Sequence, residues 1–234
     1  MNFLYTLRIL GILLMLFSTA QLFPAAVAYY YDEIGLIKVF FNTLLATFLC
    51  GFLLYITNSS RKEDLRTKDG FIITVLFWTV LAIFGSFPFI FAEELEISYV
   101  DSLFESISGL TTTGATVLTG LDELPRSILF YRQLLQWLGG MGIIVLAVAV
   151  LPLLGIGGMQ LYKAETPGPL KDAKLTPRIK ETAKALWYVY LTMTILCAAF
   201  YKFFGMTTYD AICHSFSTVS IGGFSTHDES FGFF

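Results

Sequence analysis

Five long apolar runs set the main limit on what this chain can fold into. They lie at about 9–28, 34–57, 71–92, 134–156 and 185–204. Each is close to the roughly 20 apolar residues that a helix needs to cross the hydrocarbon core of a bilayer. The helix of the fourth run is expected to begin earlier, near Arg126. Only 14% of the residues are charged, against about 25% in soluble domains. The sequence therefore predicts an all-α polytopic membrane protein.

The first run has a second interpretation. Arg8, an apolar stretch and the small residues AAVA at 25–28 also resemble a secretory signal peptide with its cleavage site. The run is long for a signal peptide, however, and Pro24 is followed by three tyrosines at 29–31. Such an aromatic cluster is typical of a helix that ends at a membrane surface. We therefore favour a spanning helix, and under either interpretation the rest of the chain is polytopic.

The basic side chains are concentrated in two segments between the apolar runs. Segments 58–70 and 157–184, together with Arg8, hold 11 of the 15 Lys and Arg residues. Loops rich in Lys and Arg stay in the cytoplasm, so both loops and the N-terminus are expected there. Acidic side chains collect on the opposite side, where they would raise the local concentration of cations.

An internal repeat bears on the polar segment after the third run. Because the loop after the fourth run is basic, 99–125 must begin and end on the outer side, as an outer loop or as a re-entrant hairpin. At an offset of 109 residues, DSLFESISGLTTTGAT (101–116) lies over DAICHSFSTVSIGGFS (210–225), and one Asp, two Ser and one Gly coincide. An ordinary surface loop has no reason to repeat, so we favour the re-entrant hairpin.

Each repeated unit is predicted to be a short helix followed by non-helical backbone. Asp101 and Asp210 suit the starts of the two helices, where a carboxylate is favoured by the helix dipole. The residues TTTGAT at 111–116 and SIGGFS at 220–225 then supply carbonyls, hydroxyls and flexible glycines. Non-helical backbone at membrane depth is tolerated only where it is buried or lines a watery path, and a ring of carbonyls can replace the hydration shell of K⁺. The pattern therefore predicts two segments of a selectivity filter.

These features together resemble a known family. The order span, pore helix, filter and span, with QWLGGMGIIV at 136–145 and KAETPGP at 163–169, resembles the potassium-translocating subunit of the Trk/Ktr/HKT superfamily, of the bacterial TrkH type. The resemblance covers essentially the whole chain. It implies potassium uptake across the bacterial inner membrane through four repeats around one pore, a homodimer, and a cytoplasmic nucleotide-binding regulatory ring of the TrkA type. It implies neither an enzyme nor an organic cofactor.

The resemblance also implies which residues contact the ion. The family places a Gly near the centre of each filter, matched here by Gly114 and Gly223. Carried over, the carbonyls expected to contact potassium are those of Thr111, Thr112, Thr113, Gly114, Ser220, Ile221, Gly222 and Gly223. In plant relatives a Ser in the first filter goes with sodium transport, so Gly114 argues for potassium.

The expected domain organisation follows from the repeat. Residues 1–68 form two extra N-terminal transmembrane helices, and 161–182 form a cytoplasmic linker. The first helix–pore loop–helix repeat is 69–160, with a pore helix at about 99–111 and a filter at 111–116. The second, 183–234, is incomplete, with a pore helix at about 209–219 and a filter at 220–225. Because such a filter takes four segments, we expect a natural polypeptide of roughly twice this length, and no selective potassium flux from residues 1–234 alone in liposomes.

Other polar groups in the sequence suggest no chemistry. Glu105 and His214 occupy matching positions of the repeat and are expected to be packing or hydrogen-bonding groups. Arg132 is expected to snorkel or to contact a pore helix, and HDE at 227–229 lacks a fourth metal ligand. A polytopic membrane enzyme is the alternative function, but it needs a convergent His, Asp, Glu or Ser set that the chain does not show. A structural membrane subunit, the third hypothesis, would have no use for two filters.

The distribution of basic residues gives a testable topology. A single cysteine at position 64 or 172 should react with an impermeant thiol reagent only from the cytoplasm, and one at position 94 or 122 only from outside. Accessibility is measured in intact and opened cells, after the three native cysteines have been replaced. Labelling of position 122 from the cytoplasm would mean that 99–125 crosses the membrane, which contradicts the pore-loop hypothesis.

Overall fold

The computed structural model describes residues 3–58, 67–150 and 171–234, and every regular element in these ranges is a helix. The α-helices are α1 (Phe3–Thr19), α2 (Leu22–Tyr30), α3 (Ile34–Thr57), α4 (Thr67–Gly85), α5 (Phe87–Phe91), α6 (Tyr99–Leu110), α7 (Arg126–Val150), α8 (Lys171–Phe203) and α9 (Thr208–Val219). Short 3₁₀ helices lie at Glu93–Leu95, Leu121–Glu123 and Ser230–Phe233.

Four helical stretches within the described ranges have the length and composition needed to cross a membrane. They are Thr6–Tyr30, Ile34–Thr57, Ile72–Phe91 and Glu181–Phe203. The fourth apolar run begins within α7, which starts at Arg126 as the sequence predicted, and continues into 151–170, outside the described residues. The chain is therefore an all-helical, multi-pass membrane protein.

Proline residues break two of the spans that the sequence predicted as single helices. The first run is divided into α1 and α2 by a turn at Ala20 and Gln21, and the third into α4 and α5 at Ser86. Pro24 and Pro88 lie in the first turns of α2 and α5. A proline inside a helix clashes with the carbonyl four residues earlier, whereas the first turn accepts it. Each helix therefore restarts just before its proline.

The basic linker was predicted as a loop, and this is wrong for part of it. Helix α8 begins at Lys171, well before the predicted start of the fifth span at 185 and inside the predicted linker 161–182. Of the 14 residues from 171 to 184, nine are Lys, Arg, Ala, Leu or Glu, which have high helix propensity, and the helix continues through Pro177. The apolar span therefore extends into it as one continuous helix. The rest of the predicted linker, up to 170, lies outside the described residues.

Helices α1 and α3 are in backbone contact where they cross. A Cβ added to Gly11 would lie 2.6 Å from the Gly51 carbonyl oxygen, and one added to Gly51 would lie 2.7 Å from the Gly11 carbonyl oxygen. Small residues at a helix crossing allow this close approach in membrane proteins. The crossing holds α1 against α3, and their buried side chains Leu14 and Phe40 belong to the same core cluster as Tyr131 of α7.

Helix α7 lies between the two short helices that carry the repeat. The first short helix, α6, packs against α4 and α7, and the second, α9, packs against α8 and α7. The aromatic side chains of α7 take part on both sides. Tyr131 is buried against Phe40 and Phe89, whereas Trp137 lies against Phe216 of α9. One long helix thus supports both copies of the repeated unit.

The helix crossing predicts the effect of adding one methyl group. Gly11→Ala should lower the free energy of unfolding by about 1–3 kcal/mol, because the new Cβ overpacks the crossing. Gly35→Ala is the matched control, since Gly35 is exposed in α3 and its Cβ would lie 3.4 Å from a Glu94 carboxylate oxygen. In the control, the free energy of unfolding should rise by about 0.5–1 kcal/mol, because alanine favours a helix more than glycine does. The unfolding temperatures of both purified variants are measured in detergent. Equal unfolding temperatures of Gly11→Ala and Gly35→Ala would contradict the prediction.

Candidate ion-binding segments

The two short helices begin with the same pair of hydrogen bonds. Ser98 Oγ accepts from the Asp101 N–H at 3.1 Å and donates to the Asp101 carboxylate at 2.7 Å. Thr207 Oγ1 accepts from the Asp210 N–H at 3.1 Å and likewise donates to the Asp210 carboxylate. This reciprocal cap satisfies amides that the first turn would leave unpaired. Asp101 and Asp210 therefore lie in the first turns of their helices, as the sequence predicted.

The two helices also end alike. The last turn of each is closed by three backbone hydrogen bonds, from N–H to carbonyl. In the first copy these are Thr111 to Ile107, Thr112 to Gly109 and Thr113 to Ser108. In the second they are Ser220 to Phe216, Ile221 to Thr218 and Gly222 to Ser217. This is the Schellman pattern of helix ends, in which the residue after the cap takes a left-handed conformation.

The left-handed residue of each helix end is β-branched. Thr112 has a φ of 54° and Ile221 a φ of 57°. A β-branched residue at positive φ is an outlier, and such strain costs of order 1–3 kcal/mol unless its surroundings enforce it. Two residues further on, Gly114 and Gly223 also have positive φ, of 74° and 85°. The same strain in both copies, where glycine would be the ordinary choice, marks these segments as functional candidates.

The two segments touch each other through the backbone. A Cβ added to Gly114 would clash with the Gly222 carbonyl oxygen, so this position needs glycine for space as well as for its φ. Gly223 has the matching conformation, but a Cβ there would meet nothing within 4 Å among the described residues. The structure thus brings the first and second predicted filters side by side.

A polar side chain on each short helix holds the segment that follows it. The Glu105 carboxylate accepts from Thr116 Oγ1 at 2.9 Å and from the Val117 N–H at 3.2 Å. At the matching position of the second copy, His214 Nε2 lies 3.1 Å from Ser225 Oγ. Glu105 and His214 are fully buried. The prediction that both are hydrogen-bonding groups is confirmed.

Arg132 on α7 reaches both copies. Its Nε lies 2.6 Å from Glu105 Oε1, its Nη2 donates to Thr116 Oγ1 at 2.8 Å, and its Nη1 donates to the Ser225 carbonyl at 3.4 Å. The side chain is 1% exposed. Of the two roles expected for Arg132, the structure therefore shows contact with α6, the predicted pore helix, and not snorkelling to the membrane surface.

Two glutamines on the same helix hold the second segment. Gln133 Nε2 donates to the Phe224 carbonyl at 3.3 Å, and Gln136 Oε1 accepts from the Phe224 N–H at 3.2 Å. Both side chains are fully buried. Neither glutamine was predicted as a functional residue. Their signal was available, because polar side chains inside an apolar span are expensive and usually functional.

The next turn of α7 carries two glycines that face the two copies. A Cβ added to Gly139 would clash with the Leu110 carbonyl at the end of α6. A Cβ added to Gly140 would lie 3.0 Å from Ser220 Cβ, at the start of the second segment. Helix α7 therefore lies in direct contact with both helix ends.

The loops that follow the two segments are joined by polar side chains. His227 Nδ1 bonds to the Asp122 carboxylate, and the Asp228 carboxylate accepts from the N–H groups of Gly120 and Leu121 at 3.1 and 2.8 Å. The hydrogen bond to His227 lowers the pKa of Asp122 below its ordinary value of 3.8. Because the pKa of Asp122 is depressed in the folded state, its bond to His227 stabilises the fold above pH 3.8. This stabilisation is lost as the pH falls through the lowered pKa.

Comparison with known proteins gives consistent matches along the chain. The TrkH family model, described as a cation transport protein, matches residues 36–234. The Trk system potassium uptake protein TrkH of Vibrio parahaemolyticus is 60% identical, and that of Escherichia coli K12 is 55% identical, each over 100% of this chain. TrkG of Escherichia coli K12 is 50% identical over 96% of this chain.

A solved structure matches in the same way. The crystal structure of the potassium transporter TrkH from Vibrio parahaemolyticus superposes with a TM-score of 0.87 at 55% identity. The match covers 100% of this chain and 46% of that one, and the two TrkH sequences are each covered to 48%. The chain thus spans about half the length of the relatives that it matches. By sequence and by fold, it belongs to the TrkH family of cation transport proteins.

Proposed function

We propose that segments 111–116 and 220–225 line a potassium pathway, as two parts of the selectivity filter of a potassium uptake transporter. The observation that carries this proposal is the recurrence of positive φ at the second and fourth residues of both segments, which lie side by side in the fold. Residues of negative and positive φ thus alternate along each segment, and such alternation can turn successive N–H groups to one side of the backbone. Successive carbonyl oxygens then face the other side, where they can take the place of water around a cation.

The proposed ligands are backbone carbonyl oxygens. They belong to Thr111, Thr112, Thr113, Gly114, Ser220, Ile221, Gly222 and Gly223. Potassium is the transported substrate, and a ring of carbonyls replaces part of its hydration shell. The C-terminal ends of α6 and α9 lie directly before these residues and add partial negative charge there. The chain is proposed to act as a transporter and not as an enzyme, without an organic cofactor.

The wider assembly is proposed from the family and from the sequence. The division into two N-terminal helices, a first repeat at 69–160 and a second repeat from 183 is supported by the matching caps and helix ends of α6 and α9. The basic segments favour the bacterial inner membrane with the N-terminus in the cytoplasm. The natural protein is proposed to be a homodimer in contact with membrane lipid and with a cytoplasmic TrkA-type regulatory ring.

Substitution of Gly114 tests the filter assignment. In the natural protein that contains this chain, Gly114→Ser should lower the permeability ratio of potassium to sodium by about tenfold, the change that about 1.4 kcal/mol produces. The physical reason is twofold, because the added side chain is strained at positive φ and its Cβ clashes with the Gly222 carbonyl. The ratio is measured from ion fluxes into proteoliposomes.

Gly120→Ser provides the matched control. Gly120 also has a positive φ, of 69°, but a Cβ there would meet nothing within 4 Å in the part of the chain that the structure describes, and the residue lies outside both segments. This variant carries the same backbone strain and should retain the wild-type ratio. A wild-type ratio in a well-folded Gly114→Ser protein would show that residues 111–116 are not the filter.

A further inference from the structure

We propose that Arg132 positions the two filter segments relative to each other, and that this spacing sets the discrimination between potassium and sodium. The inference rests on the proposed function, because it assigns a role in selectivity to a side chain that cannot itself meet the ion. It concerns the side chain of α7 whose guanidinium bonds to groups from both copies of the repeat.

The three hydrogen bonds of Arg132 go to three different parts of the fold. Glu105 belongs to α6, Thr116 is the last residue of the first segment, and Ser225 is the last residue of the second. The guanidinium carbon also lies 4.3 Å from the centre of the Phe224 ring. A displacement of either segment would therefore stretch a bond to the same side chain.

Arginine suits this position for reasons of shape and burial. Its planar guanidinium presents several N–H donors in a fixed geometry, whereas the lysine ammonium is a compact charge on a flexible stem. The side chains of Arg132 and Glu105 are 1% and 0% exposed. A buried ion pair contributes little to stability compared with apolar packing, but removal of one partner leaves a costly unpaired charge. The ion pair of Arg132 and Glu105 is therefore better suited to fixing the positions of the groups around it than to stabilising the fold.

The two copies of the repeat differ at this point. In the first copy, Glu105 and Arg132 together hold Thr116. In the second, His214 holds Ser225 Oγ, and the carbonyl of the same residue is held by Arg132 from the first copy. The second segment thus takes part of its position from the first repeat.

The buried glutamines of α7 hold only one of the two segments, whereas Arg132 holds both. Gln133 and Gln136 contact the backbone of Phe224, which belongs to the second segment. Arg132 bonds to both copies. Because Gly114 and Gly222 are already in backbone contact, a small change in the spacing of the segments alters the positions of the proposed carbonyl ligands.

Ion fluxes of the natural protein in proteoliposomes test the inference. Arg132→Lys keeps the charge but cannot make the three bonds together, and it should lower the permeability ratio of potassium to sodium by about tenfold, the loss expected from a charge-assisted hydrogen bond. Arg126→Lys is the matched control. Arg126 lies on the same helix, is exposed, and stacks on the rings of Tyr31 and Tyr209, so its replacement should leave the ratio unchanged.

The possible outcomes separate this inference from the proposed function. If Arg132→Lys is less stable to heat but keeps the wild-type ratio, Arg132 is only structural and the inference is wrong. If Arg132→Lys does not fold, Glu105→Gln removes the ionic partner with little change of shape. Its ratio should also fall, and a wild-type ratio there would overturn the inference. Absence of potassium selectivity in the wild type and in Arg126→Lys would instead refute the proposed function.

Discussion

Non-helical backbone cannot lie in hydrocarbon without partners, and this constraint organises the second half of the molecule. Each unpaired N–H or carbonyl there costs several kcal/mol. The segments after α6 and α9 are not helical, so their polar groups are met by buried side chains from α6, α9 and α7. Glu105, His214, Arg132, Gln133 and Gln136 all have this function, and each is almost fully buried. The buried polar side chains of this protein are therefore needed because the two segments are not helical.

The two copies of the repeat share a scaffold but differ in chemistry. Their helix caps, their Schellman ends and their positive φ values coincide at an offset of 109 residues. These features depend on backbone geometry, which several residue types can satisfy, so Thr112 can be matched by Ile221. The buried partner is more specific. A carboxylate at Glu105 requires a cation, whereas the imidazole of His214, with Nδ1–H bonded to the Asp210 carbonyl and Nε2 to Ser225, needs none.

Much of this arrangement could be predicted from the sequence, and the parts that could not have identifiable causes. The lengths of the apolar runs predicted the membrane-spanning helices, and the internal repeat predicted the two non-helical segments around Gly114 and Gly223. The start of α8 was missed because charged residues of high helix propensity resemble a loop when only hydropathy is considered. The strain at Thr112 and Ile221 carries no compositional signal, because these residue types ordinarily favour extended backbone. The reach of Arg132 to Ser225 depends on tertiary packing, which brings together residues 93 positions apart in the chain.

The adjacent glycines of α7 have a mechanical consequence. Gly139 touches the end of α6, and Gly140 touches the start of the second segment. Because neither glycine has a side chain, the backbone of α7 itself packs against both structures. A displacement of α7 at this level would therefore press on both structures at once. The end of α6 and the start of the second segment therefore cannot change position independently of α7.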